Sequence, residues 1–228
     1  PKIHTVRTPR SPQAASDAHG HDLLLQIRAA DGVFAKPFHK RIRQGLVEDH
    51  YVELDFGDLA GAEQITLFLT GWVYPTDTSL NIRLGRDANL PSPTPPSLWV
   101  PDAEGVWQQV MPYTGFPGGK TKTIAIDISN VFLTDDYRVR LATNMEFYWD
   151  AMFVTTDEAP AEFVETELQL RSADLHDRGY SAIEHPAGHG PDRYVYDRLQ
   201  EGFAWPPIRG HFTRYGDVTD LITSLDDR

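Results

Sequence analysis

The chain has 228 residues, no cysteine, and a formal net charge of −12 from 33 Asp and Glu against 21 Lys and Arg. The lack of cysteine excludes disulfide bonds, thiolate metal sites and a cysteine nucleophile. The negative charge argues against nucleic acid as a partner, because binding to a phosphate backbone needs patches of Lys and Arg. No apolar run reaches the ~18 residues of a membrane-spanning helix, so no transmembrane segment is expected.

Residues 1–50 are predicted to form an extended arm with one short helix, since apolar residues follow Asp22 at helical spacing. The arm carries eight Lys and Arg against five Asp and Glu, a balance of +3. This leaves 13 against 28, or −15, for residues 51–228. A mildly basic arm and an acidic body are surfaces that can dock oppositely charged neighbours.

Residues 51–171 are predicted to fold as an all-β, antiparallel two-layer β-sandwich of the jelly-roll type. Apolar and polar side chains alternate there in short runs, which on a strand gives one buried face and one solvent-exposed face. The stretch 121–155 is predicted to be a three-stranded meander, and 64–74, apolar on both faces, a central strand. Further strands are predicted around 80–84 and 164–170. The predicted core contains Leu67, Leu69, Val139, Leu141, Phe147 and Trp149.

Residues 172–228 are predicted to be an irregular extension packed on the sandwich or on a partner, with one helical turn near 217–225. Histidines interleaved with Asp and Glu make this extension a candidate metal site, because imidazole and carboxylate groups bind zinc and iron. The four histidines are His176, His185, His189 and His211. No pair of them has a spacing such as H-E-x-x-H, so surface or capping histidines are the alternative. His19 and His21, in AHGHD, form a second candidate site of the same kind.

Two other residue types could contact a ligand. Trp99, Trp107 and Tyr113 lie near predicted loop ends and are the candidate platform for a sugar ring, whereas Trp72 and Trp149 alternate within strands and are expected in the core. Aspartates in or beside turns offer the oxygen ligands of a structural calcium ion, although solvated turn aspartates are the alternative. These are Asp55, Asp58, Asp77, Asp127, Asp135, Asp136 and Asp150. A G-x-S-x-G nucleophile elbow is absent, and GFPGGKT lacks the spacing of a phosphate-binding loop.

Several phrases of the sequence resemble a known family. They are ELDFGDL at 53–59, LFLTGWVYPTDTS at 67–79, PPSLWVPD at 95–102, GFPGGKTKT at 115–123, RLATNMEFYWDAMFVTTDE at 140–158, ADLHDRGYS at 173–181 and TRYGDVTDLI at 213–222. Together they resemble the C-terminal region of bacterial proteins of the ASPIC/UnbV type, which are similar to cartilage acidic protein and carry FG-GAP or tetratricopeptide repeats. The resemblance implies a periplasmic or extracellular scaffold, a longer chain than this one, and no catalytic residue. The sandwich part also looks like a galactose-binding-like domain, a fold that often binds sugars and holds calcium.

The sequence therefore predicts a non-enzymatic interaction module, an accessory or scaffold subunit of a larger extracytoplasmic assembly, with other protein subunits as its partners. Proline-punctuated arms favour this hypothesis, because such segments become ordered by burial against a neighbour. One alternative is a carbohydrate-binding domain. A second alternative is a metal-dependent enzyme that uses the C-terminal histidines.

Overall fold

The computed structural model describes residues 3, 5–87, 89–159, 161–176, 178–200 and 215–223. Most of its regular structure is β, and every strand pair is antiparallel, which confirms the all-β prediction. The chain divides into two compact units, Pro1–Ala161 with Pro186–Pro191, and Glu162–His185 with Asp192–Arg228. Among the described residues, no helix has the length and apolar character needed to cross a membrane.

Two sheets make up the first unit. The larger has six strands in the order β1-β3-β8-β5-β6, with β2 also paired to β3, and the smaller has three in the order β7-β4-β9. The strands are β1 (Ala14–Asp17), β2 (Arg41–Arg43), β3 (Leu46–Asp55), β4 (Thr66–Val73), β5 (Ser97–Pro101), β6 (Trp107–Met111), β7 (Lys122–Asp127), β8 (Arg138–Met145) and β9 (Phe147–Thr155). The short helix predicted after Asp22 is present as α1 (Leu24–Ile27), and α2 spans Thr78–Arg86.

Both sheets contribute to one hydrophobic core. Val52, Leu54 and Leu98 of the larger sheet belong to the same buried cluster as residues of the smaller sheet. All six predicted core residues are buried: Leu67, Leu69, Val139, Leu141, Phe147 and Trp149. The central position predicted for 64–74 is confirmed, because β4 pairs with β7 on one side and β9 on the other.

The predicted meander at 121–155 is wrong, although its three strands exist. Strand β8 pairs with β3 and β5 in the larger sheet, whereas β7 and β9 flank β4 in the smaller one. Only Glu146 separates β8 from β9, and the commonest hairpin turns need two residues. The chain therefore passes from one sheet to the other at Glu146 instead of folding back on itself.

The strand predicted around 80–84 is a helix. The Asp77 carboxylate accepts a hydrogen bond from the Leu80 backbone N–H at 2.7 Å and so caps the first turn of α2. Leu80 and Leu84, four residues apart, are buried against Leu46, while Ile82 is exposed. The alternation of leucine and isoleucine was compatible with a strand, but the capping aspartate and the i, i+4 pair favour a helix.

Alternation with Met145, Phe147 and Trp149 predicts a solvent-exposed face for Glu146, Tyr148 and Asp150, but all three are buried, and strand β9 is buried on both faces. The N-terminal segment covers that second face, and the backbone of Ala35 exchanges hydrogen bonds with that of Trp149 at 2.6 and 3.0 Å. Four further residues pack there with Tyr148 in a separate buried cluster: Phe34, Phe38, Val47 and Trp72. The first 50 residues thus contribute strands and core side chains to the fold.

The described residues of the second unit form a few short elements. It contains a hairpin of β11 (Tyr180–Glu184) and β12 (Arg193–Gln200), a short pair of β10 (Asp174–Leu175) and β13 (Gly216–Asp217), and helix α3 (Thr219–Ile222). Helix α3 lies where the sequence predicted a helical turn. Residues 161–173 form no regular element, so the strand predicted around 164–170 is absent.

Candidate functional site

Residues 162–171 leave their apolar side chains in solvent, and we call this stretch the exposed apolar segment. Val164 is 91% and Leu168 86% exposed, and Phe163 and Leu170 are also classed among the exposed large hydrophobic residues. No strand of the described residues pairs with the segment. Exposed apolar surface with polar neighbours is typical of a binding site, and here it lies on a stretch without regular secondary structure.

The outer face of the larger sheet carries arginines stacked between aromatic rings, and we call it the aromatic–arginine face. The Arg140 guanidinium carbon lies 4.1 Å from the ring centre of Tyr51 and 3.9 Å from that of Trp107. Arg140 Nε also donates to Glu53 Oε2 at 2.9 Å. Cation–π stacking and a salt bridge together hold the guanidinium in place. One side of the Trp107 ring is therefore already covered by protein.

The three predicted ligand-binding aromatics lie near this face but differ in environment. Trp99 is paired in register with Arg140, and its indole N–H donates to Ser97 Oγ at 3.0 Å. Trp107 carries the stacked Arg140, and the guanidinium carbon of Arg138 lies 5.5 Å from the centre of the same ring. Tyr113 is exposed, and its ring lies nearly perpendicular to that of Phe116, with centroids 6.4 Å apart. The face thus offers hydrogen-bonding and aromatic groups, but no uncovered row of three rings.

The C-terminal histidines have local partners. His176 Nδ1 lies 3.0 Å from Asp174 Oδ2, and His185 Nδ1 lies 2.7 Å from Asp192 Oδ1, both within the second unit. His189 belongs to the first unit, where its carbonyl accepts from the Trp72 indole N–H at 2.9 Å and its ring stacks on Tyr148. His211 lies outside the described residues. Across the described parts of the chain, none of these histidines belongs to a group of three metal-ligating side chains.

A group of three metal-ligating side chains does form in the N-terminal part of the chain, where strand β1 ends. It consists of Asp17, His21 and His39. His21 was one of the two histidines singled out in AHGHD, and His19 lies beside it, with its ring centre 4.3 Å from that of His39. His39 is 18 residues farther along the chain, so spacing gave no signal for it.

The turn aspartates proposed as calcium ligands mostly accept local hydrogen bonds. Asp55, Asp58 and Asp127 accept from backbone N–H groups two residues ahead. Asp136 pairs with Arg138, whose hydrogen bonds lower the pKa of this carboxyl despite its partial burial. Asp150 is buried, which raises its pKa, while the backbone N–H groups of Asp31 and Gly32 donate to it and oppose that rise. These contacts give each of the five carboxylates a structural role.

A comparison with models of known protein families gives no match, and comparisons with curated proteins and with solved structures give none either. The function is therefore argued from the residues of this chain alone.

Proposed function

We propose that the protein is a non-enzymatic interaction module that binds another protein through the exposed apolar segment. The observation that carries this proposal is the exposure of Val164 and Leu168. In an extended chain these two residues, with Thr166 between them and Leu170 after them, point to one face, while Glu165, Glu167 and Gln169 point to the other. If the segment forms a strand, its apolar face is removed from water only when a second surface covers it.

The energetics favour a partner that also supplies a strand edge. Burying a Val or Leu side chain contributes ~1.5–3 kcal/mol, so Val164, Leu168 and Leu170 together contribute roughly 5–9 kcal/mol. Association costs ~4–15 kcal/mol in lost translational and rotational freedom. The side chains alone therefore give weak binding at best. If the segment adds as a strand to a free sheet edge of the partner, main-chain hydrogen bonds contribute the further free energy needed to offset the cost of association.

The acidic body adds a charge component to the same interaction. Glu165 and Glu167 lie on the polar side of the segment, and basic groups of a partner would be attracted to them. Exposed charges are screened beyond a Debye length of ~8 Å at physiological ionic strength, while a packed apolar interface is not. Binding of this kind weakens with salt but does not disappear.

The wider role we propose is that of an accessory or scaffold subunit in a periplasmic or extracellular assembly. The support for this role is the resemblance of the quoted phrases to the C-terminal region of ASPIC/UnbV-type proteins. The sharing of one core by two antiparallel sheets supports the finer proposal of a jelly-roll, galactose-binding-like sandwich.

Carbohydrate binding is the second candidate function, and the aromatic–arginine face favours it. Tyr51, Trp99 and Trp107 lie on the same side of the sheet as two arginines, and such groups stack on and hydrogen-bond to sugar rings. The stacking of Arg140 on Trp107 speaks against it, since a sugar would have to displace the guanidinium. Trp, Tyr and Arg in contact are also typical of protein interfaces.

The test is co-purification from the native source with charge substitutions in the segment. The variant Val164→Lys/Leu168→Lys places two charges on the apolar face. Leu25→Lys is the matched control, because Leu25 is 79% exposed in the other unit. We expect a protein that co-purifies with wild type and with Leu25→Lys and is lost from the double variant. A partner retained by the double variant but lost on Trp107→Ala would move the binding site to the aromatic–arginine face and contradict the proposal.

A further inference from the structure

The end of strand β1 brings a carboxylate and two imidazoles together. After Asp17 the chain makes a tight turn closed by hydrogen bonds from Gly20 N–H to the Asp17 carbonyl and from Asp17 N–H to the His21 carbonyl, both at 3.1 Å. Gly20 has a φ of +82°, a conformation that favours glycine. The turn returns His21 to the Asp17 side chain four residues later. This half of the group is therefore fixed by local backbone geometry.

The other half comes from the segment before β2. The backbone N–H groups of His39 and Lys40 both donate to Glu48 Oε1, at 2.8 and 3.2 Å. Because Glu48 belongs to β3, the same strand that pairs with β1, its carboxylate anchors the His39 loop to the sheet that also carries Asp17. The turn after β1 and the loop that carries His39 are thus both attached to strand β3.

The distances from the carboxylate to the two rings are close to those between the ligands of a metal ion. Asp17 Oδ2 lies 3.0 Å from His21 Nδ1 and 3.2 Å from His39 Nε2, and the three ligand atoms all lie within 4.8 Å of one another. In a tetrahedral site with bonds of ~2.0–2.1 Å, neighbouring ligand atoms are ~3.3–3.4 Å apart. The two measured distances to the carboxylate are within a few tenths of an ångström of that value.

Backbone hydrogen bonds hold the Asp17 carboxylate in position between the two rings. Asp17 is buried, and its oxygens accept from the backbone N–H groups of His21 and His19 and lie close to the ring nitrogens of His21 and His39. The backbone donors are on Oδ1, which also lies 3.2 Å from His21 Nδ1. Oδ2 lies 3.0 Å from His21 Nδ1 and 3.2 Å from His39 Nε2, between the two rings.

A network of Asp–His hydrogen bonds without a metal is the simpler explanation of these contacts. It requires two imidazoles to direct a proton to the same oxygen while a third ring, that of His19, lies edge-on to one of them. A divalent cation replaces both shared protons with one ion and lets each ring bind through its lone pair.

We propose that Asp17, His21 and His39 bind one divalent transition-metal ion of the zinc class. Two imidazoles with one carboxylate suit Zn²⁺, Co²⁺ or Fe²⁺, whereas Ca²⁺ and Mg²⁺ prefer oxygen ligands. The side chains of His21 and His39 are at least half exposed, so the remaining coordination positions face solvent and are open to water or to a donor from another molecule. The ion would join the β1 turn to the loop before β2. This site is independent of the exposed apolar segment.

The test is a titration of the purified full chain, freed of metal, with Zn²⁺ by calorimetry. Co²⁺ is the second probe, since its visible absorption reports the ligand field. His21→Ala and His39→Ala are the informative variants because both side chains are exposed and their loss should leave the fold intact, which circular dichroism checks. His185→Ala is the matched control, an exposed histidine that also contacts an aspartate.

We expect one Zn²⁺ per chain in wild type and in His185→Ala, with affinity reduced at least ~100-fold in both N-terminal variants. The reference for this figure is that loss of a residue that merely supports a ligand costs ~10–100-fold. Glu48→Ala, which frees the His39 loop without removing a ligand, should fall within that lower range. Absence of stoichiometric binding by wild type would overturn the proposal. Retention of the ion by His39→Ala, or its loss from His185→Ala, would do so as well.

Discussion

Glu146 gives the sharpest test of how the two sheets are joined. Its side chain is fully buried at the crossing from β8 to β9, and the carboxylate accepts four hydrogen bonds. The donors are Arg41 Nε at 2.8 Å and Nη2 at 2.6 Å, the Gly45 N–H at 3.1 Å and the Tyr148 hydroxyl at 2.6 Å. The perturbation is Glu146→Gln, which keeps the size of the side chain and removes its charge. The amide has one acceptor oxygen, so its NH₂ group must face at least one of these donors.

The expected cost follows from this count. Breaking a buried ion pair from one side costs ~3–5 kcal/mol, and a hydrogen bond to a charged group contributes ~1.5–3 kcal/mol. Arg41 is about half exposed and can turn towards water, which places the expected loss near the lower end, at about 3 kcal/mol. For a chain of this size that is a fall in Tm of roughly 6–12 °C.

The assay is denaturant unfolding followed by tryptophan fluorescence, with Glu104→Gln at an exposed turn as the control. Arg41→Met, which leaves the carboxylate buried with two donors fewer, should destabilise the chain by a similar amount. A loss below ~1 kcal/mol for both variants would refute the reasoning, because surface substitutions already lie within about ±0.5 kcal/mol.

Three further predictions concern the core, pH and salt. Leu141→Ala should cost ~2–5 kcal/mol, the range for truncating a buried leucine, whereas Leu133→Ala, at an exposed site, should cost under ~0.5 kcal/mol; equal effects in chemical denaturation would place Leu141 outside the core. Burial lowers the pKa of His50 from its ordinary 6.5, an effect that the Glu48 carbonyl and nearby acidic charges oppose only in part. Below ~pH 6.5 the unfolded chain therefore binds more protons at this residue than the folded chain does. The contribution of neutral His50 to stability is fully present above ~pH 6.5 and declines below it. His50→Phe should reduce that decline between about pH 7 and 5, and parallel pH curves for variant and wild type would contradict this. The protein complex formed by the exposed apolar segment should weaken, without dissociating completely, when salt rises from ~0.05 to 0.5 M; a Kd that does not change with salt would show that charge has no part in it.

Alternation in the sequence was a reliable guide to which side chains are buried. It identified Val139 and Leu141, because β8 buries its alternate residues, while the continuous apolar run of β4 identified Leu67 and Leu69. It could not tell which strands are neighbours, since pairing is decided by long-range packing. The meander failed for this reason.

Alternation also misled in two places for identifiable reasons. The pattern predicts a solvent-exposed face for Glu146 and Asp150 because they alternate with Phe147 and Trp149, but the N-terminal segment covers that face and supplies their donors. The predicted strand at 164–170 has the right pattern and, within the described residues, lacks a neighbour to pair with. Sequence shows the capacity of a segment to form a strand, whereas the fold decides whether an edge is available.

The candidate metal site illustrates the same limit. His21 lies close to Asp17 in sequence, so a local turn could be anticipated. His39 joins them only because Glu48 holds its loop on a strand that pairs with β1. No spacing rule connects residues 17, 21 and 39, in contrast to motifs whose ligands share one helix or one hairpin.

The most direct measurement of the central claim is amide hydrogen exchange of residues 162–171, made on the free chain and on the complex isolated from the native source. Addition of this segment to a partner sheet predicts fast exchange in the free chain and slow exchange in the complex, with alternate amides protected most because only one side of a strand faces its neighbour. Unchanged fast exchange at Val164 to Leu170 in the complex, with new protection on β6 and β8, would contradict the account and place the partner on the aromatic–arginine face.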